Sequence, residues 1–160
     1  IANGFGMKVY AFSPSLARNP ELGNEHNVTA VTSPEELYDN SDIVSLHMPA
    51  NDKTKGSINY DLLSRLPENG IVVNTARKEV VNEADMVRIM DERPKFKYAT
   101  DIKPNNHDEM VEKFGGRYLA SAKKCGAQTG EANVNAGLAA ANQIVKFFAD
   151  GDETFRVNSK

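Results

Sequence analysis

The chain has 160 residues, a formal net charge of −3, 40% apolar residues and 26% charged residues. This composition is typical of one globular domain, and the negative net charge argues against a nucleic-acid partner, which needs a basic surface. No apolar run approaches the roughly 20 residues of a membrane span, so no membrane partner is expected. The single cysteine, Cys125, cannot form an intrachain disulfide, which favours a reducing, cytoplasmic location.

The first six residues contain neither an initiator methionine nor the pattern of a signal peptide. They are typical of the end of a helix that is stopped by Gly6. We therefore expect that the chain is a fragment whose upstream part is missing. The alternative is that Ile1 is a mature N-terminus.

Short apolar runs alternate with helical patterns along the rest of the chain. The predicted strands are Val9–Phe12, Val28–Val31, Ile43–Leu46, Ile71–Val73, Tyr98–Thr100 and Tyr118–Ala120. The predicted helices are Pro34–Asn40, Tyr60–Leu66, Asn82–Glu92, Asp108–Phe114 and Thr129–Ala149, followed by an extended tail at Phe155–Asn158. At the first of these helices, Ser33 and Glu36 form a capping box around Pro34 at the first helical position.

Alternating strands and helices, with strands that are almost continuously apolar, predict an α/β fold with a doubly wound parallel sheet. Such a sheet is covered by helices on both faces. The one domain boundary that the sequence suggests lies near Gly126–Thr129, where the long helix leaves the sheet.

Polar residues follow several of the predicted strands, and ligands of open α/β sheets bind at the carboxyl ends of the strands. The basic residues in these positions predict a site for a small anionic molecule; they are Arg77, Lys78, Lys103, Lys123 and Lys124. A hydrogen-bonded structural role for His47 and a solvated surface pair for the two adjacent lysines are the alternatives. Three scattered histidines and one cysteine have no spacing typical of metal ligands, so no metal is expected.

Two segments resemble signature segments of the D-2-hydroxyacid dehydrogenase family. They are Ser41–Pro49, with Thr54–Ile58 behind it, and Ile71–Glu83. The similarity extends from Gly6 to the C-terminus. Within this family, the segments Lys123–Asn133 and Phe155–Asn158 resemble a lysine-bearing subgroup of the D-3-phosphoglycerate dehydrogenases.

The resemblance implies a Rossmann-type dinucleotide-binding domain. Its first strand and its Gly-rich phosphate loop would lie just before Ile1 and would therefore be absent. Residues 1–126 would form the C-terminal portion of the dinucleotide-binding domain. Residues 127–160 would form a long helix and tail that return to a substrate domain, and the full-length protein would be a homodimer.

The same resemblance implies which residues contact a nicotinamide cofactor. The matching positions are Ser13, His47, Met48, Pro49, Thr54, Thr75, Ala76, Asp101 and Gly126. Asp101 matches the aspartate that binds the nicotinamide amide. Ser13 stands where the family carries an acidic residue for the adenosine ribose, so NAD is expected and NADP remains an alternative.

One catalytic position matches the family, and two depart from it. Arg77 matches the arginine that holds the substrate carboxylate and the reacting oxygen. The family's catalytic glutamate falls at Asn106, and its catalytic histidine falls at Lys124. Either Lys124 replaces the histidine as the acid/base, with Lys123 as the alternative, or the site is inactive.

The implied activity is an NAD-dependent oxidoreductase reaction. A hydride would pass from C2 of 3-phosphoglycerate to the nicotinamide, giving 3-phosphohydroxypyruvate for serine biosynthesis. One alternative is a dehydrogenase for another D-2-hydroxy acid. The other is a binding module that senses NAD without catalysis, which the missing histidine and glutamate would fit.

Overall fold

The computed structural model describes residues 1–122 and 129–158. The chain divides into two compact units, residues 1–122 and residues 123–160. The strands of the first unit are β1 Tyr10–Ala11, β2 Thr29–Ala30, β3 Ile43–Leu46, β4 Ile71–Asn74, β5 Lys97–Thr100 and β6 Tyr118–Ala120. Its α-helices are α1 Pro14–Arg18, α2 Pro34–Asp39, α3 Tyr60–Leu63, α4 Glu83–Glu92 and α5 His107–Phe114, and the second unit contains α6 Gly130–Asp150.

Every strand pair in the described residues is parallel, and the strands belong to two sheets. Strands β1 and β2 form a two-stranded sheet, and the other four form a sheet in the order β3-β4-β5-β6. The predicted parallel α/β fold of Rossmann type is thus confirmed. Among the described residues, β1 and β2 are not hydrogen-bonded to the four-stranded sheet.

The core lies on one face of the four-stranded sheet. The buried side chains of this face include Val44, Val72 and Tyr98, and they form one apolar cluster with buried side chains of α2–α5. On the opposite face, the side chains of Ile43 and Leu119 are 45% and 68% exposed. Within residues 1–122, therefore, the expected burial of both faces is not observed, because α2–α5 all contribute to the same cluster.

A side-chain cap defines the start of α2, as predicted. The Ser33 Oγ accepts a hydrogen bond from the Glu36 backbone N–H at 3.1 Å, with Pro34 in the first turn of α2. The Glu36 carboxylate accepts from the Thr32 N–H and hydroxyl, both at 2.8 Å. The capping interaction is thus confirmed, but Glu36 bonds one residue earlier than a capping box requires.

Helix α3 and the C-terminal tail differ from their predictions. Helix α3 ends at Leu63 and not at Leu66, because the Arg93 guanidinium binds backbone carbonyls of the following turn, including that of Ser64 at 2.7 Å. The tail at 155–158 is turned and not extended, and the Arg156 N–H donates to the Glu153 carbonyl at 3.0 Å.

The second unit consists mainly of α6, which begins one residue after the predicted start. The Thr129 Oγ1 caps it by accepting from the Ala132 N–H at 3.0 Å. The sequence predicts a domain boundary near Gly126–Thr129, with the two domains divided after residue 126. This boundary falls largely on residues 123–128, which lie outside the described residues. None of the helices in the described ranges combines the length and apolarity that a membrane crossing requires.

The fold makes Gly70 intolerant of a side chain. A Cβ at this position would lie 2.8 Å from the Leu66 Cβ and 3.0 Å from the Phe96 Cε2. Because neither atom can move without repacking the core, we expect Gly70→Ala to lower the free energy of unfolding by about 1–3 kcal/mol. Urea unfolding measures this change.

Gly116→Ala is the matched control, since a Cβ there would meet no heavy atom within 4 Å. Its free energy of unfolding should change by no more than about 0.5 kcal/mol. Equal stabilities of the two variants would contradict the close packing at Gly70.

Candidate active site

Three loops leave the four-stranded sheet side by side at the carboxyl ends of its strands. Leu46 of β3 is in register with Asn74 of β4, and Asn74 is in register with Thr100 of β5. Adjacent strands lie about 4.8 Å apart. The loops that begin at His47, Thr75 and Asp101 therefore start next to one another, and we call this edge the strand-end rim.

The loop after β3 contains four of the predicted cofactor residues. The exposed His47 ring hydrogen-bonds through Nε2 with the Ser45 Oγ at 2.9 Å, and Met48 is half-buried. The Thr54 Oγ1 donates to the Pro49 carbonyl at 2.5 Å and accepts from the Asn51 N–H at 2.9 Å. Thr54 thus closes the loop on itself.

The loop after β4 contains Arg77 and is fastened by Asn74. The Asn74 side chain is fully buried; its Oδ1 accepts from the Ala76 N–H at 3.0 Å, and its Nδ2 donates to the Arg77 carbonyl at 3.0 Å. The Arg77 side chain is exposed and donates through Nη1 to the Ala76 carbonyl at 2.7 Å. Thr75 is exposed and Ala76 is buried.

Asn74 is not among the site residues predicted from the sequence. Its position at the end of an apolar strand is the signal in the sequence. An asparagine there can close the following turn with its own side chain.

The loop after β5 begins with an unpaired carboxylate oxygen. The Asp101 Oδ1 is buried and has no hydrogen-bond partner among the residues that the structure describes. The Asp101 backbone is held firmly, because its N–H donates to the Asn74 carbonyl at 3.2 Å and its carbonyl accepts from the Ser121 hydroxyl at 3.1 Å. Burying a polar atom without a partner is costly, so this oxygen is suited to accept from a ligand N–H.

A lysine connects the second and third loops. The Lys78 Nζ donates to the Asn105 Oδ1 at 2.7 Å, and the Asn105 N–H donates to the Glu83 carboxylate at 2.8 Å. Asn106, which stands at the family's glutamate position, is half-buried and makes no side-chain cap to α5.

The ring of His107, the next residue, contacts Tyr118 of the core. Its Nδ1 hydrogen-bonds with the Tyr118 Oη at 2.9 Å. Burial raises the pKa of Tyr118 to about 12, so this phenol stays neutral across the physiological range.

The remaining predicted residues either follow a strand of the other sheet or lie outside the described residues. Ser13 follows β1, in the two-stranded sheet, and its Oγ caps α1 by accepting from the Leu16 N–H at 3.1 Å. Lys123, Lys124 and Gly126 lie outside the described residues. The described residues contain no group of histidine, cysteine, aspartate and glutamate side chains that could hold a metal ion.

Residues 1–115 match the family model described as the D-isomer specific 2-hydroxyacid dehydrogenase, NAD binding domain. The chain belongs to this family. Its cofactor is NAD, and the unpaired Asp101 Oδ1 fits that assignment because a nicotinamide carboxamide carries N–H donors.

Relatives of this dehydrogenase domain act on different hydroxy acids. The chain is 30% identical to a D-lactate dehydrogenase of Lactobacillus delbrueckii subsp. bulgaricus, over 77% of this chain and 36% of the relative. It is 28% identical to a D-3-phosphoglycerate dehydrogenase of Haemophilus influenzae, over 99% of this chain and 38% of the relative.

Among solved structures, the NAD⁺-bound 3-phosphoglycerate dehydrogenase of Entamoeba histolytica is similar, with a TM-score of 0.81 and 40% identity. The alignment covers 99% of this chain and 49% of that chain. The dehydrogenase domain described here thus spans half or less of the length of these relatives.

Proposed function

We propose that the protein containing this chain oxidises 3-phosphoglycerate with NAD, giving 3-phosphohydroxypyruvate in a reversible reaction. The observation that carries the proposal is the exposed Arg77 guanidinium on a fastened loop, next to the loop that presents the unpaired Asp101 Oδ1. The choice of substrate is supported by the lysine-bearing segment at 123–133 and by the phosphoglycerate dehydrogenases among the relatives.

Residues of the rim would hold the cofactor. The Asp101 Oδ1 would accept a hydrogen bond from the carboxamide and so fix the orientation of the ring. The other proposed contacts are Ser13, His47, Met48, Pro49, Thr54, Thr75, Ala76 and Gly126. When bound, NAD supplies the acceptor for the hydride that leaves C2 of the substrate.

Arg77 would bind the substrate through its carboxylate. A guanidinium stays charged at all physiological pH values and offers a planar pair of N–H donors that matches two carboxylate oxygens. This two-point contact fixes the substrate about its C1–C2 bond. Positioning of C2 against the cofactor then lowers the entropy cost of the transfer.

Lys124 would handle the proton. As the hydride leaves C2, the hydroxyl proton passes to the lysine Nζ and the C2–O bond becomes a carbonyl. Only a neutral lysine accepts a proton, and a positive charge in the same site, such as that of Arg77, would favour the neutral form. Asn106, which replaces the family's glutamate, adds no negative charge that would oppose this effect.

The replacement of the family's acid/base pair also supports a second candidate, an NAD-binding module without catalysis. Purified full-length protein separates the candidates when NADH absorbance is followed with 3-phosphoglycerate, D-lactate and D-glycerate in turn. Turnover of 3-phosphoglycerate with the highest kcat/KM supports the proposal. A preference for another hydroxy acid contradicts the proposed substrate, and NAD binding without any turnover supports the module.

Asp101→Ala should weaken NAD binding by the full-length protein about 10- to 100-fold, because a hydrogen bond to a charged acceptor contributes about 1.5–3 kcal/mol. Thermal stability without NAD should not fall, since the variant removes a buried oxygen that has no described partner. Calorimetric titration with NAD measures the affinity. Asp108→Ala, at an exposed position on α5, is the control, and equal affinities of both variants would remove Asp101 from the cofactor site.

Arg77→Lys should lower kcat/KM of the full-length enzyme about 10- to 100-fold, because an ammonium group cannot reproduce the planar two-point contact with a carboxylate. Steady-state kinetics measure the loss. Arg65→Lys is the matched control; Arg65 pairs with Asp39 at 2.9 Å, away from the rim. A near-normal kcat/KM for Arg77→Lys would argue against a carboxylate contact.

Lys124→Ala should lower kcat about 10²- to 10⁴-fold, which is the usual contribution of general acid/base catalysis. Lys123→Ala should cost much less, because the resemblance to the family places Lys124, and not Lys123, at the acid/base position. Steady-state kinetics of both variants decide the assignment. A severe loss in Lys123→Ala alone would move the role to Lys123, and normal turnover in both would exclude a lysine base.

A further inference from the structure

We propose that Asn74 is a positioning residue that holds Arg77 in its working geometry. This inference rests on the proposed function, since it assumes that Arg77 binds the substrate. Asn74 itself would touch neither substrate nor cofactor. It would act by fixing the backbone of the loop from which the guanidinium projects.

The hydrogen bonds of Asn74 lie on both sides of the Arg77 Cα atom. One bond fixes the Ala76 N–H, which precedes Arg77, and the other fixes the carbonyl of Arg77 itself, each at 3.0 Å. The same Nδ2 also lies 3.4 Å from the Tyr98 Oη of the neighbouring strand. The turn is thereby joined to the sheet through a side chain that is 0% exposed.

Formation of the sheet alone does not require an amide side chain at position 74. Leu46, the register partner of Asn74 on β3, occupies the corresponding end of its strand with an apolar side chain that is also buried. An apolar residue at position 74 would avoid the cost of burying polar atoms. Asparagine offers a donor and an acceptor on one short planar group, which is what the turn uses.

The backbone of Asn74 also reaches the other proposed binding group. Its carbonyl accepts from the Asp101 N–H at 3.2 Å. One residue thus connects the loop that carries Arg77 with the start of the loop that carries Asp101. The hydrogen bond from the Asp101 N–H to the Asn74 carbonyl involves only backbone atoms. A side-chain substitution at Asn74 therefore leaves this bond in place and perturbs mainly Arg77.

The test is a double-mutant cycle in the full-length enzyme with Asn74→Ala, Arg77→Ala and the combined variant. Displacing a binding group by about 1 Å can cost about 100-fold in rate. We expect Asn74→Ala to lower kcat/KM about 10- to 100-fold in the native background, mainly through a higher KM for the hydroxy acid. In the Arg77→Ala background, the same substitution should cost less than about 3-fold, because the group that it positions is gone.

The cycle distinguishes the failure of each idea. An equal loss from Asn74→Ala in both backgrounds would show that Asn74 does not act through Arg77. A near-normal kcat/KM for Arg77→Ala alone would instead overturn the proposed role of Arg77 in substrate binding.

Val72→Ala controls for a general loss of packing. Val72 is 0% exposed and lies two residues earlier on the same face of β4. The Val72→Ala variant should have a lower melting temperature, and its KM should rise no more than about 3-fold. A KM increase as large as that of Asn74→Ala would overturn the inference.

Asn74→Ser serves as the conservative variant and also covers the case in which Asn74→Ala does not fold. A serine hydroxyl can close a similar turn more weakly. It should therefore recover part of the lost kcat/KM, and its cost should again vanish in the Arg77→Ala background. A full cost that persists in that background would contradict a positioning role.

Discussion

The in-register parallel pairing of β3, β4 and β5 determines where the candidate side chains of the rim lie. Each strand ends at the same level, so the residues that follow Leu46, Asn74 and Thr100 emerge about one strand spacing apart. A shift of one residue in β4 would turn Asn74 away from the covered face and move its loop. The buried apolar side chains of β3–β5 oppose such a shift, and the packing of the core thereby sets the geometry of the site.

Two polar groups of this rim have opposite hydrogen-bonding states. The Asn74 amide is fully buried, and both its oxygen and its nitrogen have partners, so it adds rigidity to the loop. The Asp101 Oδ1 is buried without a described partner, while the backbone around it is held on both sides. A rigid backbone that presents an unpaired acceptor is the arrangement that a binding site needs, because the ligand then supplies the missing hydrogen bond without reorganising the protein.

The local elements were predictable from the sequence, whereas contacts between distant residues were not. The bounds of β3 and β6 and the start of α4 follow from apolar runs and a capping asparagine, which act over a few residues. The early end of α3 depends on Arg93, which lies 29 residues from its partner Ser64. That the Asp101 Oδ1 has no partner among the described residues likewise depends on what packs around it, which the local sequence does not show.

The basic side chains of the rim make no ion pair among the described residues. The ion pairs found among residues 1–122 and 129–158 involve none of the three basic residues Arg77, Lys78 and Lys103. Lys78 bonds instead to the neutral amide of Asn105, whose backbone N–H donates to the Glu83 carboxylate. The described part of the rim thus carries basic side chains without an ion-pair partner within an acidic chain, which suits a small anionic molecule.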